Sequence, residues 1–225
     1  MIENLKVGAT LTFTVDITPV VPALPAGHGP ENRSDHQGTL YITPPQRETE
    51  TSTLINRNRP SMLMPRFKEN LIPYHMSYIP FAGANICYCQ FNQMVVSNGF
   101  QGCLMAIYMY FGNRRVAHVF SSSVPAQDTK TAFKNLMNQA GYQFIKYFRP
   151  FSGNNDEDFH VNVVTRGMAT HPPLIAAPNK VETLGIVTSS NECYSVDVRK
   201  IGNDNRTFDV LRVRRKMPVR HLGFI

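Results

Sequence analysis

The stretch Leu104-Met105-Ala106-Ile107-Tyr108-Met109-Tyr110-Phe111-Gly112-Asn113-Arg114-Arg115-Val116-Ala117-His118-Val119-Phe120 decides the fold class. A continuous apolar run over 104–111 meets a Gly112-Asn113 turn signal, and Arg115–Phe120 carries the next apolar segment. Short apolar runs closed by a turn dipeptide read as strands. Upstream, Ile86–Val96 reads as strand or as a mixture of strand and helix. Downstream, Ala126–Ala140 is the one convincing helix: Ala132, Leu136 and Ala140 recur at i+4, Phe133 and Met137 lie beside them, and Gly141 is placed to end it.

Further out the strand pattern continues. Gly8–Asp16 alternates small or polar with apolar residues, and Gly38–Thr43 is a second strand stopped by Pro44-Pro45. Between them, Pro19, Pro22, Pro25 and Pro30 make 18–36 a surface loop. Residues 46–80, with Pro60, Pro65, Pro73 and Pro80, read as a long irregular excursion containing one short strand at most. Strands are expected at 142–148, 159–165, 183–188, 193–200 and 207–214. No repeat and no linker divides the chain. The expectation is a single α/β (α+β) domain over residues 1–225, with sandwich-like mixed or antiparallel sheets and flanking helices.

Composition agrees with a loop-rich, strand-rich protein. Of 225 residues, 42% are hydrophobic and only 17% charged, with 16 Pro and 14 Gly. That balance excludes a disordered chain, and no apolar run approaches the ~18 residues of a membrane span. The start Met1-Ile2-Glu3-Asn4-Leu5-Lys6 lacks the basic and apolar regions of a signal peptide. The net charge of +7 is concentrated at the C-terminal end, in Arg206, Arg212, Arg214, Arg215, Lys216 and Arg220 against Asp209. Such a cluster can draw an anionic partner, but no aromatic interleaving accompanies it, so nucleic acid is not expected. The plain reading is a terminal strand with a solvated face.

Chemistry concentrates in the central block. Cys103 follows Gly99-Phe100-Gln101-Gly102 and begins the apolar run, where glycine allows backbone and substrate to come close. His118 follows fifteen residues later and Ser97 lies six before. A thiol, an imidazole and a hydroxyl are the parts of a nucleophilic site: nucleophile, acid–base and orienting group. The structural alternative has weight, because cysteine is among the most buried residue types. Hairpin arithmetic does not join the pair either. A two-residue turn at Gly112-Asn113 sets His118 against Ile107, roughly 13 Å along the strand from Cys103. A site therefore needs a bulge, another turn or unpaired strands.

These residues resemble the papain-like but separately folded glutamine deamidase superfamily that includes Burkholderia lethal factor, cytotoxic necrotizing factor and the bacterial chemoreceptor deamidases. The small-residue-Gly-Cys signature falls on Gln101-Gly102-Cys103, the downstream His on His118, and a hydroxyl residue on Ser97. The opening Gly8–Asp16 and the strand Gly38–Ile42 are also similar to the lethal factor, so the likeness runs loosely from the N-terminus to the helix after His118. Gln101 stands where the toxins have Ser, and Ser97 where they have Thr.

The resemblance implies a secreted or injected bacterial toxin, acting in the host cytosol as a monomer. Its reaction would be cofactor-free deamidation of a glutamine on a target protein, such as a host translation factor or small GTPase. Cys103 would be the nucleophile, His118 the base and then acid, and Ser97 the orienting group, with Gly102 and Gln101 beside the oxyanion and substrate. If His118 shares a proton with Cys103, the thiolate should persist well below the ordinary cysteine pKa of ~8.5. Loops 18–36 and 46–80 are candidates for target recognition.

The same parts would serve a cysteine peptidase or a transglutaminase-like acyl transferase. A non-enzymatic β-rich binding protein with Cys103 in its core is the third reading. Cys87-Tyr88-Cys89 puts two thiols on one strand face, but without the further ligands a metal site needs, so no metal is expected. Cys193 reads as a core thiol, and His160 and His171 receive no role.

Overall fold

The computed structural model describes residues 4–17, 31–34, 36–45, 73–81, 84–100, 102–121, 129–151, 159–160, 181–201 and 205–222. Its elements run in chain order as β1 (Thr10–Phe13), β2 (Glu31–Arg33), β3 (His36–Thr43), β4 (Pro73–Ile79), β5 (Ile86–Gln90), β6 (Met94–Ser97), β7 (Leu104–Tyr110) and β8 (Asn113–Val119). After these come α1 (Lys130–Met137), β9 (Tyr142–Phe148), β10 (Phe159–His160), β11 (Val181–Val187), β12 (Cys193–Lys200) and β13 (Thr207–Lys216). The fold is β-rich α+β, with two mixed sheets and one helix among the described residues.

The larger sheet has the order β1-β3-β4-β6-β11-β12-β13, and β13 returns to pair with β1, so it closes into a barrel. Closure removes the free edges that an open sheet would leave. β10 continues along β13 past the end of β1. All pairs in the barrel are antiparallel except β4 with β6. Between those two strands the chain visits the second sheet as β5, and that sheet runs β2-β5-β8-β7-β9. Alternation then sorts the side chains. Leu11, Phe13, Leu40, Met76, Val96, Leu184, Val196 and Phe208 fill the barrel.

On the barrel's outer face Ile79, Val95, Val187 and Cys193 meet Cys87, Cys89, Met105, Ile107, Val116 and Phe148 of the smaller sheet. The far face of that sheet buries Leu104, Ala106, Tyr108, Ala117 and Val119 beneath α1. The helix presents Phe133, Leu136 and Met137 to them, the i, i+3, i+4 stripe of a one-sided helix. Its end is Asn138 rather than Ala140, and residues 126–128 of the expected helix lie outside the described residues.

The β7–β8 hairpin departs from the expectation in the way that matters most. Its turn is Phe111-Gly112, with φ of 44° and 78°, closing the pair Tyr110↔Asn113. Two successive positive φ values make the mirror-image turn whose twist suits a hairpin, and only Gly112 adopts it freely. Phe111 is held there by its N–H, which donates to Gly141 O at 2.8 Å, and by an edge contact with Tyr110 at 4.7 Å between ring centroids. The register shifts accordingly, and His118 pairs with Met105 instead of Ile107.

Two other expectations are corrected. Within the stretch read as loop, Glu31–Arg33 forms β2, parallel to β5. Glu31 anchors it by accepting hydrogen bonds from Tyr108, from Tyr142 at 2.6 Å and from Arg115 at 3.4 Å. The C-terminal cations form a solvated face only in part, since Arg206, Arg215 and Arg220 are exposed. Arg214 and Lys216 are buried, and Asp197 accepts from Arg214 at 2.9 Å, Arg212 at 2.8 Å and Thr183 at 2.8 Å. Arg215 pairs with Glu192 at 2.9 Å. Burying a cation is costly without such a partner, so the carboxylates of β12 and its turn decide where this strand lies. No helix among the described residues is long and apolar enough to cross a membrane.

Candidate active site

Ser97 is the last residue of β6, flanked in the sheet by Ile79 of β4 and Gly185 of β11. The chain next enters the smaller sheet, where Cys103 stands one residue before β7. His118 lies on β8, opposite Met105 on one side and Cys87 on the other. Cys103 and Met105 belong to the same buried cluster, and Cys103 lies two residues before Met105, the partner of His118. Two residues along a strand span roughly 7 Å. The corrected hairpin register therefore cuts the offset along the strand from four residues to two.

Ser97 and His118 are joined directly. Ser97 Oγ lies 2.8 Å from His118 Nδ1 and donates to Ile79 O at 2.6 Å. A hydroxyl has one hydrogen, and a carbonyl can only accept, so Ser97 must accept from Nδ1–H. That fixes the tautomer and leaves Nε2 as a bare lone pair. Nε2 is buried without a hydrogen-bond partner. The imidazole is stacked on Phe100, with centroids 4.3 Å apart and planes 8° apart, and tilted against Phe81 at 5.6 Å. Burial holds its pKa down at about 3, so the ring is neutral in the folded protein.

Cys103 Sγ accepts a hydrogen bond from Ser121 N–H at 3.4 Å. No hydrogen bond joins it to Nε2. Exposure is 2% for Cys103, 1% for His118 and nil for Ser97, so the site is closed to bulky groups. Of the two residues expected beside the oxyanion, Gly102 has φ of 134° and stands next to Ser121, whereas Gln101 lies outside the described residues. Most of the expected recognition loops also lie outside them, apart from β2, the start of β3 and β4.

Cys87, Cys89 and Cys193 are buried thiols, outside any disulfide, in the same cluster. Burial pushes the Cys87 and Cys193 thiols up to about 11, which makes them poor nucleophiles near neutrality. Sequence reasoning missed the aromatic rings around His118, the Ile79 carbonyl and the Ser121 amide. It also missed Gly185, where a Cβ would come within 2.8 Å of Pro150 and 3.0 Å of Phe100 and would run into Met105. An isolated glycine within a strand was the available signal for that close approach. Comparisons with protein-family models, curated proteins and solved structures found no match.

Proposed function

We propose that the protein is a thiol-dependent deamidase acting on a glutamine side chain of another protein. One observation carries the reading: Ser97 holds the Nδ1–H of a buried His118 whose Nε2 has no partner, and His118 pairs with Met105, two residues from Cys103. A buried acceptor without a partner costs free energy, and a nucleophile's proton is what such an acceptor can take. The resting imidazole is neutral. As Sγ attacks the amide carbon, Nε2 takes the thiol proton and returns it to the departing nitrogen, releasing ammonia. Water then attacks the thioester carbon while Nε2 accepts its proton, and the thiol is restored as glutamate leaves. The Nδ1–H bond to Ser97 keeps the ring in register throughout.

The near-complete burial favours a slender carboxamide over a peptide main chain, and so favours deamidation over peptidase action. By resemblance, the target belongs with host translation factors or small GTPases, reached by a bacterial toxin in the host cytosol. The structural-thiol reading has its own observation in its favour, the absence of a Cys103–His118 hydrogen bond.

The test is ammonia release from a blocked glutaminyl peptide and from candidate translation factors and GTPases, with intact-mass detection of the amide-to-acid change. Wild type should be active, Cys103→Ser inactive, and Ser97→Thr close to wild type. Ser97→Ala should fall by about 10²-fold, on the scale of acid–base contributions. Peptide cleavage or amine incorporation would move the reading to its rivals. Absence of any Cys103-dependent product would end it.

A further inference from the structure

The amide that faces the Cys103 sulfur is held from behind. Ser121 N–H and Phe120 C=O belong to one peptide group, and in a trans peptide they point in opposite directions. The N–H donates to Cys103 Sγ at 3.4 Å. The C=O accepts twice from a single residue, from Thr129 N–H at 3.2 Å and from Thr129 Oγ1 at 2.9 Å. Thr129 is buried and is the N-cap residue of α1. A threonine there ordinarily turns its hydroxyl onto the N–H groups of the first helical turn. This one makes no side-chain cap bond, and its hydroxyl is spent on the Phe120 carbonyl instead. Two donors on the carbonyl fix the peptide plane, and they polarise the group so that its N–H becomes a stronger donor.

We propose that the Phe120–Ser121 peptide is the anion-stabilising group of the site, its Ser121 N–H bonded to the Cys103 sulfur, and that Thr129 is the positioning residue that aims it. The inference rests on the reading of Cys103 as the reacting thiol. It places that function on the chain after β8 and the start of α1, apart from the glycine that precedes the cysteine. A hydrogen bond to the sulfur favours its charged form and raises the thiolate fraction. The other titratable groups in this buried cluster are Cys87 and Cys89 of β5 and Cys193 of β12, with His118 of β8 beside them.

The experiment is alkylation of the intact protein by iodoacetamide from neutral to alkaline pH, with Cys103 labelling located by peptide mass spectrometry. Thr129→Val removes the hydroxyl and keeps the shape and the N–H. It should slow Cys103 alkylation at neutral pH by about tenfold, equivalent to about one pKa unit. Thr129→Ser should restore the wild-type curve. A merely structural threonine would shift thermal stability without moving the curve. An unchanged curve in Thr129→Val, or a Thr129→Ser curve as slow as that of Thr129→Val, would overturn the proposal.

A second measurement needs no variant at Thr129. The Ser121 amide proton shift should follow the Cys103 titration and lose that dependence in Cys103→Ala, whereas a pH-invariant shift in wild type would refute the bond. Neither readout involves glutamine. Failure of the deamidase reading would instead appear as absent ammonia release with both thiol results intact.

Discussion

Lowering the pH from 7 to 5 titrates His118 in the unfolded chain but not in the folded protein. Burial depresses its folded pKa from 6.5 to about 3. The unfolded state then binds the proton that the native state refuses, so stability is fully present above pH 6.5 and is lost as pH falls toward 3. At pH 5 the unfolded imidazole is protonated and the folded one is not. One and a half pH units below the unfolded pKa, at 1.36 kcal/mol each, gives a loss of about 2 kcal/mol from this residue alone.

His118→Gln supplies the reference. Its amide can still donate toward Ser97, and it does not titrate. Urea unfolding followed by circular dichroism at pH 7, 6 and 5 should show wild type losing about 2 kcal/mol more than the variant over that interval. Differencing the two proteins cancels the other histidines and the carboxylates. Parallel stability–pH curves would refute the reasoning, since they would mean the imidazole reaches solvent or a counter-charge when protonated. The same burial has a kinetic counterpart. A base that stays neutral down to pH 3 should leave the pH–rate profile without an acid limb near 6.5.

Gly185→Ala should destabilise the protein by about 1–3 kcal/mol, because the added methyl runs into Met105 and meets Pro150 and Phe100. The displaced Phe100 should also change the ring-current shifts of His118 in a proton spectrum, which a change in global stability alone would not do. At the hairpin tip, Phe111→Gly should be more stable than Phe111→Ala by about 1 kcal/mol. Both lose the ring, but only glycine escapes the cost of φ 44°. Denaturation curves that place the alanine variant at or above the glycine variant would show that the turn is not the one described.

The sequence by itself determined the β-rich α+β class, the places of most strands and the helix, because period-2 and period-3.6 patterns are local properties of the chain. Strands β9 and β12 fall on the expected spans 142–148 and 193–200. It also supplied Cys103, His118 and Ser97 as a chemically coherent set. The closure of the barrel through β1 and β13 was not legible, since it pairs residues from opposite ends of the chain. Nor was β2, whose place depends on one glutamate meeting two tyrosines and an arginine from other strands.

The site turned on a single local ambiguity. Phe111-Gly112 and Gly112-Asn113 are both plausible turns, and choosing between them moves His118 by two residues along β7. The sequence pointed to Gly112-Asn113, because the strain at Phe111 is offset by an amide bond to Gly141 and a ring contact that exist only once β9 is in place. Tertiary structure likewise decided the protonation of His118. Its pKa is set by the rings of Phe81 and Phe100 and by the exclusion of water between barrel and sheet, and those surroundings come from segments distant in the chain.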